Sequence, residues 1–261
     1  MTGSLEHTVR YEVADRIATI TLDRPAQRNA IDAAVTVALR AATARSEADP
    51  DVLVVILTGS GDRAFCAGMD LKAFASGEGR AIIEGRGGFA GFTQYPRTKP
   101  VIAAVNGAAL AGGCEIVLAC DLVVAADHAL FGFPEVKRGL FAASGGVLRL
   151  PRLIARARAL ELLLTGDVID AHTAHELGLI NKVVPHGLLL ETARDLALRI
   201  CANAPLAVRE TLALARAVFS LPEEQLQARN DAAWAMIAAT EDAREGPRAF
   251  AEKRPASWKA R

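Results

Sequence analysis

The chain has 261 residues, 51% of them hydrophobic, and its 30 Lys and Arg balance its 30 Asp and Glu. Such a length makes one large domain or two smaller ones around a sizeable core. The even charge excludes a basic field for nucleic acid and a strongly acidic tail.

The four cysteines (Cys66, Cys114, Cys120, Cys201) form neither a CxxC pair nor a secreted framework. Reduced, mostly buried thiols in a cytosol are expected. The start "MTGSLEHTVRYEV" lacks the basic and apolar regions of a signal peptide. No apolar run has the length of a membrane span. The reading is therefore a cytoplasmic protein with no membrane and no nucleic-acid partner.

In chain order, residues 8–22 read as two short strands with a tight turn at Ala14-Asp15. Asp32 is placed to N-cap a helix over 33–47. "VLVVILTG" (52–59) is a continuous apolar run ending in glycine, the pattern of a strand buried on both faces. The loop "SGDRAFCAGMD" leads to a short helix near 70, and the Gly- and charge-rich stretch 76–91 reads as mobile. "KPVIAAVNG" (99–107) is a second buried strand, "AALAGGCEIVLAC" a helix, "DLVVAAD" a third strand and "ALFGFPE" a fourth. Two units thus share one grammar of buried strand, glycine, small residues and helix. From about 151 the pattern is helical, interrupted only by a strand at 180–184, and the last sixty or so residues read as all helix.

One carboxylate, Glu115, stands inside the apolar run before Asp121, directly behind Gly112 and Gly113. A helix apolar nearly all round is buried. A carboxylate there is costly unless it is hydrogen-bonded or borders a cavity. Glycines allow close approach to the backbone, and free N–H groups at a helix start are donors to an oxygen that gains charge. The pattern places an oxyanion donor beside an acid/base, with a purely structural capping glutamate as an even alternative. Glu135, in "FGFPEVKRG", could share acid/base work with it; taken alone, a surface Glu paired with Lys137 or Arg138 is the better reading. "AFCAGMDLK" (64–72) repeats the logic, with Asp70 as a cap and the Met69 N–H pointing outward. His172 and His175 lack a third ligand, and a solvated helix start is the preferred reading for them. "EGRGG" and "ASGGV" lack the context of a phosphate loop or a serine nucleophile.

"FCAGMDLK", "NGAALAGGCEIVLACDLVVAA" and "FGFPEVKRG", in that order, resemble the motifs of the crotonase (enoyl-CoA hydratase/isomerase) family. "LDRPAQRNAID" and "EGPRAFAEKR" match it too, so the resemblance covers essentially the whole chain. It implies an α/β fold, a spiral of ββα units over 1–200 holding the active site, with a helical oligomerisation region over 201–261 that builds a homotrimer or a dimer of trimers. It implies an oxyanion hole from the Met69 and Gly112 amides and two catalytic glutamates, Glu115 and Glu135. Binding of the CoA thioester is implied at Arg24, Arg28 and Ala30, at Cys66, Ala67, Gly68, Asp70 and Leu71, and at Phe250 and Lys253, the last two often on a neighbouring subunit. No metal and no separate cofactor are implied; CoA is part of the substrate.

The implied reaction is reversible hydration of a 2-enoyl-CoA. A carnitinyl-CoA-type dehydratase, an enoyl-CoA isomerase and a non-catalytic acyl-CoA-binding protein are the alternatives. Ala142-Ala143 replaces a Pro-Gly step common in hydratases, in a loop expected to shape the acyl pocket. "SGGVLRLP" and "EGPRAFAEKR" look closer to the carnitinyl-CoA dehydratase branch.

Overall fold

The structure is a computed structural model that describes residues 8–261. The leader reading of the first seven residues lies outside the described residues. β1 (Val9–Ala14) and β2 (Ile17–Leu22) form the expected antiparallel hairpin, with Val9 opposite Leu22 and Ala14 opposite Ile17. Its two-residue turn is Asp15-Arg16, one position beyond the expectation, with φ of 50° and 65°. Two positive φ values fit the twist of the flanking strands.

α1 (Ala33–Ala48) starts on the Asp32 cap, whose side chain accepts from the Val35 N–H at 2.8 Å. Three strand pairs then follow, each a long buried strand and a three-residue one. They are β3 (Val54–Gly59) with β4 (Ala64–Cys66), β5 (Val101–Val105) with β6 (Ala108–Leu110), and β7 (Leu122–Ala126) with β8 (Leu130–Gly132). The short helices α2 (Leu71–Ala73) and α3 (Gly79–Ile83) follow β4, with a π turn at Phe74–Glu78 between them; α4 (Gly112–Leu118) follows β6.

α5 (Gly146–Leu153), α6 (Arg156–Thr165), β9 (Val168–Asp170), α7 (Ala171–Glu176) and β10 (Lys182–Val184) lead to the terminal helices. These are α8 (Leu189–Cys201), α9 (Pro205–Ala217), α10 (Glu223–Ala238) and α11 (Glu241–Ala251).

The long strands enter one sheet in the order β1-β2-β3-β5-β7-β10, parallel except at the hairpin. The short strands enter a second sheet, β4-β6-β8-β9, antiparallel only at β8/β9. The main core fills the space enclosed by α1, the two sheets and α4. The opposite face of the large sheet, with Ile56, Ile102 and Val124, is covered by Leu189, Ala193 and Ala197 of α8. That double cover explains why β3 and β5 read as unbroken apolar runs, and all their residues are buried.

The two units of one grammar stand, and their strand pairing recurs a third time at β7-β8 without the glycine and the α-helix. Three expectations are corrected. The opening of the "AALAGG" stretch is strand β6 before it is helix. A second strand, β9, interrupts the helical region, and the chain after Ala251 is not helix. That tail is tied back by hydrogen bonds: Asp242 accepts from the Lys259 and Ala260 amides, and Glu245 accepts from Ser257 N and from Arg254.

Candidate active site

β4, β6 and β8 lie side by side, so the loops that leave their C-terminal ends converge. Each loop delivers candidate groups: Ala67 and Met69 after β4, Ala111, Gly112 and Glu115 after β6, Pro134 and Glu135 after β8. All of them line one cavity of about 360 Å³.

The Met69 amide is oriented by pairing with the chain beside it. Residues 28–31 run along 67–70, with Ala67 N donating to Arg28 O (3.0 Å), Ile31 N to Gly68 O (2.8 Å) and Asp70 N to Ile31 O (2.8 Å). In extended chain successive N–H groups point to opposite sides, so with Asp70 N–H on Ile31, Met69 N–H faces away, toward the cavity. Neither Met69 N nor Gly112 N has a protein acceptor among the described residues. Gly68 has φ 91°, and a Cβ there would lie 3.0 Å from Gly112 N. Its bare Cα brings the two loops together.

Gly112 follows Ala111, held at φ 51° and ψ −128° with its N–H on Gly132 O at 2.9 Å. A non-glycine residue there is strained by about 1–3 kcal/mol, and the strain turns the following amide out of the strand direction. The two glycines have separate steric causes. A Cβ on Gly113 would sit 2.0 Å from Cys66 O, so α4 starts against the end of β4; a Cβ on Gly112 would meet the Phe89 ring at 2.5 Å. The neighbour crowding Gly112 is thus a protein side chain.

Every residue of α4 is buried, and Glu115 is 3% exposed. Its Oε1 accepts from Gly146 N–H at 2.9 Å. Burial pushes its carboxyl up to about 7; the Gly146 amide opposes that rise, the Glu135 charge adds to it, and Arg149 opposes it. Glu135 sits in the 3-10 turn Pro134–Arg138 that follows β8. Both its carboxylate oxygens are covered and lack a partner among the described residues, and burial raises its pKa, against the lowering effect of Arg138. Lys137 instead pairs with Asp167 at 3.1 Å. The surface-pair reading of Glu135 is therefore replaced: the turn aims the lysine outward and the carboxylate inward.

The remaining candidate residues divide. Arg28 (φ 53°), Ala67 and Leu71 line the cavity. Arg24 is a clamp: it donates to Ala30 O at 2.7 Å and pairs with Asp32 at 3.0 Å and Asp70 at 3.4 Å. Asp70 caps α2 through the Lys72 and Ala73 amides. Cys66 is fully buried, its thiol pushed up to about 12 by burial, and it approaches Gly68 N at 3.4 Å. Ala30, Phe250 and Lys253 do not border the cavity of this chain; Phe250 is 87% exposed. Among the described residues no group of three or more His, Cys, Asp or Glu is placed to hold a metal ion.

Sequence reasoning placed the Ala142-Ala143 loop at the pocket, where Ala143 and Ser144 do line the cavity; it missed the apolar mouth and the grip of the Gly146 amide on Glu115. Phe74, Ile83, Leu140 and Phe141 line the cavity while remaining partly exposed. Ala143 and Ser144 close one wall, and Ala142 packs inward.

Two sheets wound from repeated strand pairs, with an amide pair and two carboxylates meeting where the short strands end, define an α/β protein of the crotonase fold. The chain belongs to that family: the model for "Enoyl-CoA hydratase/isomerase" matches residues 12–261. It is 45% identical over 250 residues to a carnitinyl-CoA dehydratase of Citrobacter koseri, covering 94% of this chain and 95% of that protein. A crystal structure of an enoyl-CoA hydratase from Mycobacterium tuberculosis superposes with a TM-score of 0.94 at 47% identity, covering 98% of this chain and 100% of the other. One of a carnitinyl-CoA hydratase from Mycobacterium avium gives 0.78 at 44% identity, covering 98% and 99%.

Proposed function

We propose that the cavity binds a 2-enoyl-CoA or 3-hydroxyacyl-CoA thioester and interconverts the two by adding or removing water. The observation that carries this reading is the meeting of two buried carboxylates with two unpartnered amides at one cavity. The thioester oxygen sits between the Met69 and Gly112 N–H groups, which stabilise the enolate-like charge as it develops. Glu115, tethered through Oε1, keeps its other oxygen for a water molecule. Its titration near neutrality suits a general base at physiological pH. It takes a proton from the water as the oxygen bonds to C3, and Glu135 gives a proton to C2. Dehydration reverses both transfers, so the pair holds one proton in either direction.

Coenzyme A enters as part of the substrate. Arg28 and Arg138 at the cavity wall suit its phosphates, and the apolar mouth suits an acyl chain. The chain acts as a homotrimer or a dimer of trimers. Val218, Phe219 and Trp234, exposed by 53%, 61% and 71%, are the side chains a neighbouring copy would cover.

A second reading, dehydration of carnitinyl-CoA, is favoured by the relatives that bear that name. The aromatic rings of Phe74, Phe89 and Phe141 on the cavity wall offer faces to a quaternary ammonium group. A panel of enoyl-CoA thioesters decides, including the trimethylammonium-bearing product of carnitinyl-CoA dehydration, followed by loss of the conjugated enoyl absorbance. Turnover of simple enoyl-CoAs supports the first reading. Turnover confined to the cationic substrate supports the second. Turnover of none, with thioester binding retained, leaves a binding protein.

A further inference from the structure

Arg149 in α5 does not border the candidate site. It lines a separate hollow behind it, with Arg97, Cys120 and Asp121. Its guanidinium is committed to two backbone carbonyls on different segments: Nη1 donates to Ser144 O at 3.2 Å and Nη2 to Thr93 O at 2.5 Å. Ser144 belongs to the loop that ends at Gly146, whose N–H holds Glu115. Thr93 follows the turn Phe89–Gly91, and the Phe89 ring packs on Gly112. One side chain therefore ties the wall that carries the carboxylate to the wall that backs the oxyanion amide.

The loop is built around this guanidinium. Gly145 lies at φ 123°, and a Cβ there would fall 1.8 Å from Arg149 Nη1. A planar fork reaches both carbonyls at once, which a single ammonium on a flexible stem does not reproduce.

We propose that Arg149 is a positioning residue for Glu115: from behind the site it braces the Ser144–Gly146 peptides that grip the carboxylate, and it supplies the positive charge that carboxylate sees. The proposal rests on the acid/base role given to Glu115 above. The charged groups facing Glu115 are Glu135 across the cavity and Arg149 behind the loop, while Arg28 and Arg138 stand on the same cavity wall. Burial lowers the pKa of the Arg149 guanidinium and the Glu115 charge opposes that, so each group acts on the other.

The sign follows directly. A cation favours the ionised carboxylate, so removing it raises the pH at which Glu115 loses its proton. In Arg149→Gln, kcat falls roughly 10- to 100-fold, the cost of a base displaced from its working position, with KM for the thioester little changed. The acid limb of the kcat/KM profile moves to higher pH. In Arg149→Lys the charge stays, so the limb returns toward its parental position while kcat remains depressed.

Infrared difference spectroscopy across a pH step follows the protonated Glu115 carboxyl without turnover, its band assigned by its loss in Glu115→Gln. That band shifts upward in pH in Arg149→Gln and far less in Arg149→Lys. An Arg149→Gln enzyme with parental kcat, or with the limb and the band unmoved, overturns the proposal. If Arg149→Gln does not fold, Arg149→Lys decides: depressed kcat at unchanged KM supports it, and parental kcat overturns it. A shifted band in a protein that hydrates no thioester separates the two claims, retaining the brace and refuting the hydration reading.

Discussion

Replacing Glu115 by Gln should stabilise the fold at alkaline pH while removing its activity. The native carboxyl is raised from an ordinary 4.5 to about 7, chiefly by burial. Between those values the native state holds a proton that the unfolded chain has released, so stability falls as pH rises through that window and then levels off. The gap corresponds to about 3 kcal/mol of stability withheld above pH 8, and to less than about 1 kcal/mol at pH 5. Glu115 is 3% exposed, so solvent screening removes little of this. Gln keeps the oxygen that accepts from Gly146 and carries no charge, although its amide also resists burial. A net gain of about 1–3 kcal/mol at pH 8 is expected, which at this chain length is a rise in Tm of roughly 2–10 °C. Thermal melts of parent and variant at pH 5 and pH 8, at one protein concentration, measure it. A Tm difference equal at the two pH values, or a variant less stable at pH 8, refutes the assignment of a strained anion at this position.

Both Glu115→Gln and Glu135→Gln should lower hydration by roughly 10²–10⁴-fold with thioester binding retained, the double variant being little worse than either single; side-by-side kinetics in which one variant is nearly silent would point to an isomerase. Gly112→Val should cost about 10²–10³-fold in turnover, because the displaced Phe89 ring moves the oxyanion amide, and normal turnover would remove Gly112 from the hole. Gly113→Ala, whose new Cβ meets the Cys66 carbonyl at 2.0 Å, should show a larger fall in melting temperature than Gly187→Ala, where nothing lies within 4 Å. Light scattering at micromolar concentration should give a trimer or a hexamer, and a monomer alone would contradict the role given to Phe219 and Trp234.

The features legible in the sequence are those whose cause is local. Asp32 and Asp70 cap the helices expected of them because a cap bonds its own next few residues. Glu115 stood out because a charge in an apolar helix conflicts with the helix's own burial. The long strands were legible from their apolar runs, and so were the short β8 and β10; the short β4, β6 and β9 were not, since their three residues each draw their order from neighbours in the second sheet. Glu135 was ambiguous because its 3-10 turn, and so the direction of its side chain, is set by β8 and α6. Phe89 and Arg149 were invisible because each acts on Gly112 or Glu115 through a contact that no periodicity or spacing encodes.

The two kinds of group in the cavity answer differently to change. The amides of Met69 and Gly112 belong to the main chain, so at position 69 almost any side chain leaves the donor in place, fixed by the pairing of 28–31 with 67–70. The carboxylates are side chains, and one codon change deletes either. In the function proposed above, polarisation of a carbonyl is thus written into the path of the backbone, while proton traffic is written in two replaceable letters. A scaffold divided in this way can exchange one reaction for another on the same activated acyl group without rebuilding the part that activates it.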